Sequence, residues 1–242
     1  MTSKIELVSL QLKTSNNFEK NIRRATKHIK QTPKNSFILF PELFLTGYSY
    51  NKLNEASRLT SKVTKVLKLL SKNKTIFITM ITKKNNSFYN TLHVFHKEEL
   101  IHTQSKVKLF ILNKEEKYFT PGNENNIKII EIEGIKVATL ICFELRFIDL
   151  WEKIRGADII LIPAMWGKLR KENFEALTQS LAVINQCYVM ASDSSNENMA
   201  KSSAIISPFG KVTKNDNLKI IAELYNQKAI KITRKYLPTG LK

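Results

Sequence analysis

The sequence predicts an α/β fold built around a largely buried sheet. Three observations predict it. Apolar runs of strand length alternate with segments of helical periodicity from one end of the chain to the other. The chain has 242 residues, 43% of them hydrophobic, which is enough for one sizeable core. No linker, low-complexity tract or internal repeat divides it. The expectation is a single domain over residues 1–242.

Taken in order, IELVSLQL (Ile5 to Leu12) reads as a buried first strand. Phe18, Ile22, Ala25 and Ile29 then share one helical face, with Asn16 or Ser15 as the expected cap. SFILF (Ser36 to Phe40) is a short strand stopped by Pro41. Leu59, Val63, Val66, Leu67 and Leu70 mark a second helix. TIFITMI and TLHVF are strands joined through the polar turn KKNNS. QSKVKLF reads as extended, and IKIIEIEGIKVATLI as a hairpin turning at Glu133-Gly134. A helix over 148–155, the strand ADIILIP, a longer helix over 171–185 and the strand CYVMAS follow. SSAIISPFGKV is a strand and a turn at Pro208 and Gly210; a strand and a short helix close the chain.

Composition excludes several classes. Thirty-nine lysines and arginines against 21 acidic residues give a net charge of +18. The basic residues are mostly lysines scattered along the whole chain, so no nucleic-acid partner is expected. No apolar run approaches the roughly 18 residues of a membrane span, and the N-terminus lacks a signal-peptide pattern. Two cysteines, Cys142 and Cys187, imply no disulfide framework and fit a reducing cytoplasm. There is no phosphate loop, no dinucleotide fingerprint and no zinc-ligand spacing, so neither cofactor nor metal is expected. None of the histidines 28, 93, 96 and 102 adjoins a cysteine in sequence.

Three strand ends carry residues that do not continue a core. Glu42 follows an apolar strand and Pro41, and is flanked by Leu43, Phe44 and Leu45. Lys106 precedes an extended apolar segment, and Cys142 ends the strand VATLI ahead of a charged pair, Glu144 and Arg146. Taken singly, each has an ordinary reading: a loop carboxylate, one lysine among many, a packed cysteine. Cys187 reads as a core strand residue. Together the three make a chemical set. A thiol of pKa about 8.5 needs help to attack at neutral pH. A desolvated carboxylate can take its proton, and an ammonium can stabilise both the thiolate and the oxyanion that follows.

LFPELFLTGY, KVKLF and ICFELRF, in that order, resemble the nitrilase superfamily of carbon–nitrogen hydrolases. EEKYFTPG resembles the segment carrying its second glutamate: Glu115 lies nine residues after Lys106 and seven before Gly122. That spacing resembles the omega-amidase branch. ADIILIPAMW, EALTQSLAVINQCYVMAS and SSAIISPFGKV carry the likeness over nearly the whole chain. The resemblance implies a four-layer αββα sandwich and a Glu–Lys–Cys triad of Glu42, Lys106 and Cys142. It implies that Cys142 attacks a small amide, that Glu42 is the general base, and that Lys106 with the Phe143 backbone N–H stabilises the oxyanion. Glu115 would orient Lys106 or the substrate, and Glu144 and Arg146 would hold the turn. A homodimer or larger homo-oligomer is implied too. Other branches of the superfamily, or an inactive binding protein on this fold, are the alternatives. The chain departs from the family pattern at Glu144 (usually Asp), Lys108 (usually His), Leu181 and Ile184 (usually Arg and Glu), and Asn173-Phe174 (often His-Trp). All of these lie outside the triad.

Overall fold

The computed structural model describes residues 4–241. Strand β1 (Glu6–Leu10) leads to helix α1 (Phe18–Gln31), and β2 (Ser36–Leu39) to α2 (Leu53–Leu70). Three antiparallel strands follow: β3 (Lys74–Lys84), β4 (Ser87–His96) and β5 (Glu99–Ser105). After a long loop come β6 (Ile130–Ile132), β7 (Ile135–Thr139), α3 (Ile148–Lys153), β8 (Ile159–Pro163) and α4 (Lys171–Asn185). Strands β9 (Tyr188–Ser192), β10 (Ala204–Ile206), β11 (Val212–Lys214) and β12 (Ile220–Leu224) precede the last helix, α5 (Gln227–Tyr236).

The strands form two six-stranded sheets. One has the order β12-β1-β2-β3-β4-β5, the other β11-β10-β9-β8-β7-β6. Side chains alternate faces along a strand, and here both faces are buried. Leu7, Phe37, Leu39 and Phe77 share one face of the first sheet and join Val137, Ile159 and Tyr188, which share one face of the second, in one core. Their neighbours Val8, Ile38, Ile76 and Ile78 point the other way, onto Ala25 and Ile29 of α1 and Val63 and Leu67 of α2. The second sheet is covered in turn by Leu150 of α3 and by Phe174, Leu181 and Ala182 of α4. The layers therefore run helix, sheet, sheet, helix, the four-layer αββα sandwich expected above. Two-sided burial is why these strands read as unbroken apolar runs. Between the sheets, Ser192 Oγ donates to Leu10 O at 2.5 Å, and Ser9 Oγ donates to Ala191 O.

Three local readings change. The cap of α1 is Asn17, whose Oδ1 accepts the Lys20 N–H at 2.9 Å, not Asn16 or Ser15. Phe18 is already helical, and Ser15 is engaged by Asn21 instead. The β3–β4 hairpin runs well past its apolar stretches. Its turn, Asn85-Asn86, takes positive φ at both residues (47° and 65°), a conformation asparagine tolerates. The extended segment expected at QSKVKLF overlaps strand β5 only at Gln104 and Ser105; the rest of β5 lies at the sheet edge, where Glu99 to Thr103 alternate exposed and half-buried positions and give no apolar run. Among the described residues, no helix is long and apolar enough to cross a membrane.

Candidate active site

The residues singled out by sequence stand at strand ends and converge. Glu42 lies three residues past β2, and its N–H donates to Ala164 O at 3.1 Å, just past β8. Lys106 follows β5 directly and is tied to β4 by its N–H to Asn90 O at 2.8 Å. Cys142 lies beyond β7 with φ +50°, and opens a 3₁₀ turn over Cys142–Arg146. A left-handed φ is uncommon outside glycine, and such strain concentrates at functional turns.

Lys106 Nζ is the hub. It donates to Glu42 Oε1 at 2.9 Å, to Glu115 Oε1 at 3.0 Å and to the Tyr48 hydroxyl at 3.2 Å. The side chains of Lys106 and Glu42 are fully buried, and that of Glu115 is 1% exposed. Burying the ammonium opposes its charge, but the carboxylates of Glu42 and Glu115 outweigh that and hold it protonated. Glu115 is pushed up from the usual carboxylate range by burial and by Glu42, with Lys106 opposing. Glu42 Oε1 also accepts from Asn90 Nδ2 at 2.8 Å. Its other oxygen, Oε2, is buried and has no partner, as is Oε2 of Glu115. A buried carboxylate oxygen without a partner is available to take a proton.

The Cys142 thiol is pushed well above its ordinary range. Burial is the main cause and the Glu42 charge the second; Lys106 and the Met165 backbone N–H pull it down. The resting group is thus a thiol beside a base, not a free thiolate. Cys142 faces a cavity of about 280 Å³, bordered also by Tyr48, Phe110, Phe143, Arg146 and Trp166. The Phe143 ring packs on Phe110 at 5.0 Å and on Phe147 at 5.2 Å between centroids.

Glu144 has the structural role expected of it. Its two oxygens accept the N–H groups of Ile141 and Val107, each at 2.6 Å. It thereby fastens the cysteine turn to the lysine segment. Burial nevertheless pushes its carboxyl up to about 7. Arg146 is a correction. It does not hold the turn; its exposed guanidinium lies 5.1 Å over the Trp166 ring, donates to Asn173 Oδ1 at 3.1 Å and borders the cavity. The turn is already satisfied by Glu144, which frees Arg146 to point outward. Lys108, in the usual histidine slot, lies 5.2 Å over Phe147 and pairs with Glu124 at 3.5 Å and Asp149 at 3.6 Å.

Sequence reasoning missed Tyr48, Asn90, the Met165 N–H, Trp166 and Arg170. Asn90 carried a signal, because asparagine is depleted from strand interiors. Tyr48 stood inside the quoted LFPELFLTGY stretch. A backbone N–H has no signature of its own.

Over residues 7–223 the chain matches the carbon-nitrogen hydrolase family, and it belongs to that family. It is an enzyme of the amidase kind. It is 31% identical over 204 residues to the 2-oxoglutaramate amidase of Bacillus subtilis (strain 168), covering 79% of this chain and 78% of that protein. It is 23% identical over 199 residues to omega-amidase YafV of Escherichia coli (strain K12), covering 79% and 77%. Its fold matches that of Saccharomyces cerevisiae Nit3, a member of branch 10 of the nitrilase superfamily, with a TM-score of 0.85 at 24% identity over 99% and 96% of the two chains.

Proposed function

We propose that the chain hydrolyses the terminal amide of a dicarboxylic acid monoamide, such as 2-oxoglutaramate or 2-oxosuccinamate, through a cysteine thioester. The observation that carries this reading is the buried Lys106 ammonium, held between Glu42 and Glu115 beside the Cys142 thiol. Glu42 takes the Sγ proton as sulfur attacks the amide carbon. The oxyanion is met by Lys106 and the Phe143 N–H. The C–N bond breaks as Glu42 passes the proton to the departing ammonia. Glu42 then takes a proton from water, hydroxide attacks the thioester, and the C–S bond breaks with sulfur reprotonated from Glu42. Glu115 positions Lys106. The relatives named for 2-oxoglutaramate and omega-amides support the substrate class, and so does Arg146 at the cavity border, a cation fit for the far carboxylate. The reading includes a homodimer or larger homo-oligomer working in the cytoplasm, which light scattering and fractionation would test.

The experiment is ammonia release from 2-oxoglutaramate, succinamate, glutamine, an N-carbamoyl amino acid and a simple nitrile, run beside Cys142→Ala. Release from the dicarboxylic monoamides, lost in the variant, is the expected result. Turnover that survives in Cys142→Ala would sink the scheme. Wild-type kinetics in Glu115→Gln would remove that residue from it.

A further inference from the structure

The loop after β8 carries a second guanidinium into the cavity, and its construction is specific. Arg170 borders the same 280 Å³ space as Cys142 and Arg146. Its guanidinium lies 5.2 Å over the Phe110 ring. Among the described residues no carboxylate pairs with it, and its side chain makes no hydrogen bond. A half-buried guanidinium without an anion is unusual, because arginine leaving water is normally paired.

Trp166 holds both arginines. One face of its ring carries Arg146, at 5.1 Å. Its indole N–H donates to the Arg170 carbonyl at 2.8 Å. Its backbone N–H is fixed by Asp193 Oδ1, also at 2.8 Å. Gly167 leaves the room: a Cβ there would stand 2.7 Å from Arg170 Nη2. The tryptophan, the glycine and the phenylalanine thus set where this guanidinium sits. The cavity is bordered by one carboxylate, Glu115, which shares Lys106 with Glu42, and by two guanidinium side chains, Arg146 and Arg170.

We propose that Arg170 is a specificity-determining residue that grips the substrate's far carboxylate together with Arg146, so that the enzyme selects amides with an anionic end over neutral amides. Two planar forks suit the two oxygens of a carboxylate, and the aromatic supports hold the forks before the ligand arrives. This rests on the amidase reading above.

The test is the ratio of kcat/KM for 2-oxoglutaramate to that for butyramide, a neutral amide. Wild type favours the charged amide. In Arg170→Gln the ratio falls roughly 10- to 100-fold, the value of a charge-assisted hydrogen bond, mostly through KM for 2-oxoglutaramate. Arg170→Lys, which keeps the charge and loses the fork, falls between. Gly167→Ala, with Arg170 intact but displaced, reproduces the loss. A wild-type ratio kept in Arg170→Gln overturns the role of Arg170 alone. A wild-type enzyme that does not favour the charged amide overturns both this inference and the substrate class beneath it.

Discussion

Cys142 and Cys187 are the two thiols of this chain, both free and both buried. Burial pushes each thiol up, and by that measure neither is a nucleophile. Their surroundings differ. Cys187 is fully enclosed where α4 hands over to β9, with its N–H donating to Ala182 O at 3.2 Å. The charges that reach it are Arg234 and Asp158, which lie 3.5 Å from each other and oppose one another at the sulfur. Cys142 sits on a left-handed turn and faces a cavity. A carboxylate, an ammonium and a backbone N–H act on its sulfur. Depth therefore does not tell the two thiols apart. A base with a free oxygen and a fixed cation do.

The sharpest way to break this contrast is to remove the base. Glu42→Gln keeps the acceptor used by Lys106 and Asn90 but cannot take a proton, so Cys142 becomes a second Cys187. Ammonia release should fall about 10²- to 10⁴-fold with the melting temperature little changed. An active Glu42→Gln enzyme would mean that the proton goes elsewhere. Lys106→Met comes next, with a loss of about 10²- to 10³-fold expected for an oxyanion partner. It should also melt earlier, because Glu42 and Glu115 would then be buried without their shared cation. Of the two variants, Glu42→Gln therefore reports more cleanly on chemistry.

Glu144 sharpens the contrast from the structural side. It fastens the cysteine turn to the lysine segment by accepting the N–H groups of Ile141 and Val107. Glu144→Gln can accept from one of the two N–H groups but turns an N–H donor toward the other. A stability loss of about 1–3 kcal/mol is expected in urea unfolding. The pH dependence follows from its raised carboxyl. Its folded value of about 7 lies above the unfolded one, so the folded protein holds the proton more tightly. That contribution to stability is present below about 4.5 and is lost as pH rises through about 7. Asp193, also pushed up to about 7 by burial, acts in the same direction. Glu144→Gln should flatten this slope without abolishing it. An unchanged slope would show that Glu144 stays ionised across the range.

Much of this was legible in sequence for physical reasons. Strands buried on both faces read as apolar runs, so most strands were marked, and the exposed edge strands β5 and β11 were not. Glu42, Lys106 and Cys142 were visible because a charge or a thiol at a strand end interrupts an apolar pattern, and Glu115 only through its spacing from Lys106 and Gly122 in the family-like segment EEKYFTPG. The cavity wall was not visible. Arg146 read as a brace for the turn because its neighbour Glu144 is one, and only the three-dimensional path puts it over Trp166. Arg170 was one basic residue among 39. Its meaning lies in a missing counter-ion and in Gly167, neither of which has a sequence period.

The smallest expected effect is also a stringent control. Cys187→Ala removes one buried sulfur and leaves a small void, at a cost of about 1 kcal/mol and no more than a slight shift of the urea midpoint. Ammonia release should stay at the wild-type rate, because Cys187 borders neither the cavity nor the Lys106 cluster. Alkylation adds a second readout. In the folded protein a small haloacetamide should modify Cys142 alone, and Cys187 should react only after denaturation. Substrate should slow labelling of Cys142 and leave Cys187 untouched. If Cys187 labelled as fast as Cys142 in the folded state, or if Cys187→Ala lost activity, the two thiols would not differ in the way their surroundings indicate. The carboxylate and ammonium around Cys142 would then be a structural ion cluster rather than a catalytic one.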